Sequence, residues 1–168
     1  YNVTMIQLAS AFSSLINGGT YYQPYVVKQI MNPEGQVVKE FEPIKVRETV
    51  SKETSELIKR GCYRTVEEGT GGGTKIEGYH IGGKTGTAEK LPRGNGKYIV
   101  SIITAAPIED PQIVLYVAID EPNVENQADS YPAQQLAGWI WKDLVSYAGI
   151  FSDLEEGPEE VNPEQQDD

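Results

Sequence analysis

Lys84-Thr85-Gly86-Thr87 sets an ammonium, a hydroxyl, a position with no side chain and a second hydroxyl in consecutive order. On an extended strand, side chains alternate between the two faces, so Lys84 and Gly86 share one side and Thr85 and Thr87 the other. A bare Gly86 lets a second backbone come close. That suits an edge strand that takes an extended peptide alongside it. An ammonium and hydroxyls at the same place could hold a carboxylate.

The same residues admit a competing pattern. Gly78-Tyr79-His80-Ile81-Gly82-Gly83-Lys84-Thr85 fits G-x-x-x-x-G-K-[ST], and Val114 to Glu121 resembles an apolar strand ending in metal-binding acids. A phosphate-binding loop of this type follows a buried strand and opens a helix. Here the preceding residues, Gly71 to Glu77, are no such strand, and Gly86, Pro92, Gly94 and Gly96 follow too soon for a helix. The P-loop NTPase reading is kept as an alternative. Gly69 to Gly73 lacks the spacing of a dinucleotide fingerprint and reads as a flexible loop.

The chain has 168 residues, 39% hydrophobic, and a net charge of −11. That is enough for one domain with a modest core. Residues 1–150 read as the domain. Residues 151–168 carry eight acids and no base after Phe151 and read as an acidic, disordered tail. The acidic balance argues against nucleic acid as a partner. A lone cysteine, Cys62, excludes an internal disulfide and a Cys-rich zinc site, and its helical setting makes it a core residue. No apolar run approaches the length of a membrane span. Tyr1 runs straight into a helix signal, which reads as a piece of a longer protein.

The elements that must position Lys84 follow from periodicity. Thr4 and Gln7 form a capping box, and Met5, Leu8, Ala9, Phe12, Leu15 and Ile16 recur at helical spacing up to Asn17-Gly18-Gly19. Tyr25 to Met31 and Gln36 to Phe41, joined by Asn32-Pro33-Glu34-Gly35, predict a β-hairpin. Ser51 caps a second helix to Glu67, with Leu57, Ile58, Cys62 and Val66 on one face. Three strands follow: Tyr79 to Ala88, Tyr98 to Ala106 and Gln112 to Asp120. Their short connections require antiparallel pairing. Pro132 opens a last helix through Ala148, with Leu136, Ile140, Leu144 and Tyr147 as its stripe; Trp139 and Trp141 cannot share a face. The predicted fold class is therefore α+β, with a three-strand antiparallel meander packed against helices, plus a hairpin.

Taken together, these segments resemble the C-terminal half of a class B penicillin-binding protein transpeptidase domain. The resemblance rests on Val3 to Ala9 with Asn17-Gly18-Gly19, on Gly69-Thr70-Gly71, on Gly83-Lys84-Thr85-Gly86-Thr87-Ala88-Glu89, and on Ala106-Pro107, Asp110-Pro111 and Asp120-Glu121-Pro122. Lys-Thr-Gly is one of the family's three catalytic motifs. The other two, Ser-x-x-Lys and Ser-x-Asn, occur nowhere in these residues, and Gln127 to Ala133 fits only loosely. The partial fold would thus carry one wall of a site without its nucleophile.

The resemblance implies that Lys84 supplies positive charge to the catalytic cluster and that Thr85 and Thr87 bind the substrate carboxylate. It implies that Gly86 gives the docked peptide room and that the Thr87 N–H forms half of an oxyanion hole. Glu89 and Lys90 read as a surface pair, and His80 as a structural residue in mid-strand. The implied reaction is acyl transfer by a serine from a stem peptide ending in D-Ala-D-Ala, with β-lactams acylating the same serine. No metal or organic cofactor is implied. The implied setting is the extracytoplasmic face of a bacterial membrane. The edge Gln112 to Ile119 is expected to meet either the missing half of the domain, carried on the same or on a separate chain, or a second copy of this chain by self-association. The fragment alone is expected to form no penicillin adduct. A non-catalytic module of the same fold is the remaining alternative.

Overall fold

A computed structural model describes residues 3–153. Helix α1 spans Met5–Ile16, and its capping box closes as the sequence requires: Gln7 N–H donates to Thr4 Oγ1 at 3.3 Å, and Thr4 N–H donates to Gln7 Oε1 at 2.8 Å. Phe12 and Ile16 are buried, but Met5 and Leu8 are exposed, so only the second half of the expected stripe reaches the core. Strand β1 (Thr20–Tyr22) pairs with β4 (Lys45–Glu48), and between them β2 (Gln29–Met31) and β3 (Val37–Glu40) form the expected hairpin. The β1–β4 pair had no sequence signal, because three to four mixed polar residues do not establish a period.

Helix α2 covers Lys52–Glu67, with Ser51 Oγ accepting from Thr54 N–H at 3.2 Å. Its buried positions are Ser55, Cys62 and Val66, whereas Leu57 is exposed. Ser55 is inside because its hydroxyl accepts the Gly18 N–H at 3.0 Å, which ties α2 to the turn after α1.

Strands β5 (Gly82–Glu89), β6 (Tyr98–Ala106) and β7 (Ile113–Asp120) form an antiparallel sheet in the order β5-β6-β7, without a register shift in either pair. Two hydrogen bonds fix which backbone groups face outward. Lys90 N–H donates to Lys97 O at 2.8 Å, one step beyond the Glu89–Tyr98 pair. Since backbone groups alternate direction along an antiparallel strand, even-numbered β5 residues point theirs at β6 and odd-numbered ones point theirs away. Glu121 N–H donates to Tyr98 O at 2.8 Å, so odd-numbered β7 residues face β6 and even-numbered ones face the other edge.

Helices cover both faces of the sheet. On one face Ile103 and Ala105 of β6 pack with Phe12 and Ile16 of α1 and Cys62 of α2. On the other, Val100 and Ile102 of β6 and Val117 of β7 pack against Ala133 and Ala137 of α3, which spans Tyr131–Ala148. The expected stripe of α3 is corrected here. Leu136, Ile140 and Tyr147 are exposed, and the buried face is Ala133, Gln134, Ala137, Gly138, Trp141 and Val145. Small residues win because the helix lies close to its neighbours: a Cβ on Gly138 would stand 3.1 Å from Gly73 O. Trp141 is fully buried and Trp139 is exposed. The indole Nε1–H donates to Thr104 Oγ1 at 2.8 Å, and Thr104 donates in turn to Leu115 O at 3.2 Å.

The glycine-rich segment is no free loop. Gly72–Thr74 forms a 3₁₀ turn against α3, with Gly73 N–H donating to Gln134 Oε1 at 3.0 Å. Ordered contact continues past Ile150: Asp153 N–H donates to Gly78 O at 2.9 Å. Residues 154–168, which hold most of the expected acidic tail, lie outside the described residues. No described helix is long and apolar enough to cross a membrane.

Candidate functional site

Strand β5 forms one edge of the sheet, and Lys84 to Thr87 occupy its middle. Lys84 and Gly86 stand opposite Ile103 and Ser101 on the α1/α2 face; Thr85 and Thr87 stand opposite Ile102 and Val100 on the α3 face. Thr85 and Thr87 are also the odd-numbered residues whose N–H and C=O point away from β6. This strand therefore offers two side-chain hydroxyls and a row of backbone groups along one open edge.

Lys84 is exposed, and its Nζ donates to Thr85 O at 2.9 Å and approaches Thr85 Oγ1 at 3.4 Å. Its charge also reaches the α2 core. Burial pushes the Cys62 thiol above its ordinary pKa, and the Lys84 ammonium partly opposes that rise. A Cβ on Gly86 would lie 2.6 Å from Ser101 Oγ, the end of a side chain that can rotate aside. Thr87 Oγ1 donates to Ala128 O at 3.2 Å, so its hydroxyl proton is engaged with the loop that leads into α3. Thr85 Oγ1 lies 3.1 Å from Thr70 Oγ1. Thr70, Ser101 and Ala128 thus join the four expected residues. Only Gly69-Thr70-Gly71 had a signal in the sequence; Ser101 and Ala128 carry no motif, and tertiary packing alone brings them in.

Two expectations need correction. His80 lies before β5, not within a strand. Its ring nitrogens face Glu109 Oε1 at 2.7 Å and Asp153 Oδ2 at 2.9 Å, and its ring sits 5.3 Å from that of Tyr63. Glu89 and Lys90 are not paired with one another. Lys90 instead reaches Asp120 at 2.8 Å and Glu121 at 2.7 Å, side-chain bonds that raise its pKa and lower that of Glu121. Those bonds also dispose of the nucleotide pattern, because the two acids at the end of β7 neutralise a lysine and Lys84-Thr85 continues as strand rather than opening a helix. Among the described residues no cluster of three or more His, Cys, Asp or Glu side chains is placed to hold a metal ion. An open cleft of about 330 Å³, lined by α2 residues with Ile108 and Glu109, includes none of the β5 positions.

Strand β5 thus brings an ammonium, two hydroxyls and outward-facing backbone groups together at one edge of the sheet. Residues 1–143 match the family model of the penicillin binding protein transpeptidase domain. The chain belongs to that family. It is 40% identical over 153 residues to stage V sporulation protein D of Bacillus subtilis, covering 89% of this chain and 24% of that protein. It is 31% identical over 147 residues to the probable peptidoglycan D,D-transpeptidase PenA of Neisseria flavescens, covering 86% of this chain and 33% of that protein. The chain thus spans a quarter to a third of these relatives. Among solved structures it resembles the D,D-transpeptidase domain of a peptidoglycan glycosyltransferase from Eggerthella lenta, with TM-score 0.72 and 29% identity over 89% of this chain and 33% of that one. The fold is also that of penicillin-binding protein 3 of Mycobacterium tuberculosis complexed with ampicillin, with TM-score 0.77 and 23% identity over 93% of this chain and 37% of that one.

Proposed function

We propose that this chain supplies the Lys-Thr-Gly wall of a serine-type D,D-transpeptidase that cross-links peptidoglycan stem peptides. The observation that carries this reading is the parity of β5: Thr85 and Thr87 point their backbone groups at an open edge while Lys84 and bare Gly86 share the adjoining face. A stem peptide ending in D-Ala-D-Ala adds to β5 as an extended strand. Its terminal carboxylate meets the Thr85 hydroxyl and the Lys84 ammonium, both donors. The serine, contributed from outside residues 1–168, attacks the carbonyl between the two D-Ala residues. The Thr87 N–H then faces the developing oxyanion. The terminal D-Ala leaves, and an amine of a second strand takes the acyl group. The Thr87 hydroxyl can bind the carboxylate only by releasing Ala128 O, so Thr85 is the principal hydroxyl.

β-Lactams carry the same acyl and carboxylate groups and acylate the same serine. The site works without a metal or organic cofactor, on the outer face of a bacterial membrane. The rest of the domain meets this chain at β7, whose outer edge is unpaired among the described residues.

The test is acylation followed by intact-mass spectrometry with ampicillin. The complete protein forms a one-to-one adduct and the 1–168 polypeptide forms none. In the complete protein Lys84→Ala lowers the acylation rate about 10²-fold, the cost of losing one preorganised electrostatic donor. A near-normal rate in that variant, or a stoichiometric adduct on the 1–168 polypeptide, overturns the assignment.

A further inference from the structure

The glycine-rich segment ahead of β5 places one hydroxyl, that of Thr70, against the motif. Thr70 Oγ1 is 3.1 Å from Thr85 Oγ1, across fifteen residues of sequence. The approach is anchored at both ends of the segment. Gly71 N–H donates to Thr65 O at 2.8 Å, at the end of α2. Gly73 N–H donates to Gln134 Oε1 at 3.0 Å, and Gln134 Nε2 donates to Ser130 Oγ at 2.9 Å, at the start of α3. A Cβ on Gly71 would stand 3.1 Å from Thr65 O and 3.3 Å from Val66 Cγ2, so the segment runs close against α2 and a larger residue there would have to displace its neighbours by a few tenths of an ångström. Two helices therefore hold Thr70 where it is.

The Thr85 hydroxyl has one proton and two lone pairs, and a lysine ammonium can only donate. Lys84 Nζ already approaches one lone pair of Thr85 Oγ1 at 3.4 Å. We propose that Thr70 is a positioning residue that donates its hydroxyl proton to Thr85 Oγ1 and so turns the Thr85 O–H toward the open edge of β5. With both lone pairs occupied, the Thr85 proton has only the open side left. An outward proton suits an acceptor-only group such as a carboxylate. Thr70 thus sets a preference for ligands with a free carboxylate over the same ligands esterified. This inference rests on the transpeptidase reading, in which Thr85 receives that carboxylate.

The experiment compares second-order acylation of the complete protein by ampicillin and by its carboxyl methyl ester. Thr70→Val keeps the shape and removes the hydroxyl; Thr70 is exposed, so the variant is expected to fold, and Thr70→Ala serves as a second deletion. Thr70→Val is expected to lose about 10-fold on ampicillin, the scale of one hydrogen bond to a charged group, and less than about twofold on the ester. Thr70→Ser is expected to restore the ampicillin rate. Equal losses on acid and ester, as a general loosening of the loop would produce, overturn the proposal, and so does an unchanged ampicillin rate in Thr70→Val. Lys84→Ala in the same assay separates the two levels. If Lys84→Ala is slow and Thr70→Val is normal, the role of Thr70 alone fails; if Lys84→Ala is also normal, the transpeptidase reading fails with it.

Discussion

Gly83→Ala tests how tightly the position of Lys84 depends on the core beneath it. A Cβ at residue 83 would lie 2.6 Å from Ile103 O and 2.7 Å from Thr104 Cγ2, where ordinary contact begins near 3.4 Å. Ile103 O belongs to the backbone and cannot swing away. Thr104 is equally fixed, because its hydroxyl accepts from Trp141 Nε1 and donates to Leu115 O. Two responses remain. Thr104 turns and leaves a fully buried indole N–H unpaired, or β5 moves off β6 by somewhat under 1 Å. Overpacking of this kind costs about 1–3 kcal/mol. Orphaning the indole N–H would add about 1–3 kcal/mol. A total near 3 kcal/mol lowers the melting temperature of a domain this size by about 8 °C. Movement of β5 carries Lys84 with it, and a misplacement on the order of 1 Å can cost about 10²-fold in rate. The assay is thermal unfolding together with ampicillin acylation of the complete protein. Gly86→Ala is the contrast: its clash is with Ser101 Oγ, the end of a rotatable side chain, so it should block ligand approach with little loss of stability. If Gly83→Ala keeps both its melting temperature and its acylation rate, β5 is not seated as the contacts require.

Thr104→Val is expected to destabilise the domain by about 1–3 kcal/mol, because it keeps the volume and leaves Trp141 Nε1–H without an acceptor; a midpoint shift in chemical unfolding measures it, and an unchanged midpoint would remove Thr104 from the core network. Burial raises the pKa of the Cys62 thiol, so at pH 8 it remains protonated and alkylates more slowly than a free thiol, its rate climbing only as pH passes above the usual cysteine range. Lys84→Ala removes the opposing charge and should slow that alkylation further; faster labelling would mean that Lys84 does not sense Cys62. In the 1–168 polypeptide, hydrogen exchange is expected to alternate along β7, with Leu115 and Val117 amides protected and Val114, Tyr116 and Ala118 fast. Uniform protection would mean that something pairs with the outer edge of this strand even without the rest of the domain.

What the sequence alone could establish was local. Thr4 and Gln7 set the start of α1 because capping is an interaction between residues three apart. The meander of β5, β6 and β7 was legible from alternation and from connections too short for parallel crossovers. Lys84 to Thr87 stood out because four unusual residue types are adjacent, and their strand was distinguishable from a phosphate loop by the breakers that follow. Packing decided the rest. Hydropathy assigned α3 the face bearing Leu136, Ile140 and Tyr147, but the helix buries Ala133, Ala137 and Gly138 because close approach to the sheet and to Gly73 favours small side chains over large ones. The same limit applied to His80 and Lys90, whose partners are distant in sequence. The site itself divides along this line. Its motif is continuous in sequence, whereas Thr70 meets Thr85, Ser101 underlies Gly86, and Ala128 accepts from Thr87 only because the fold closes distances that chain neighbours never span.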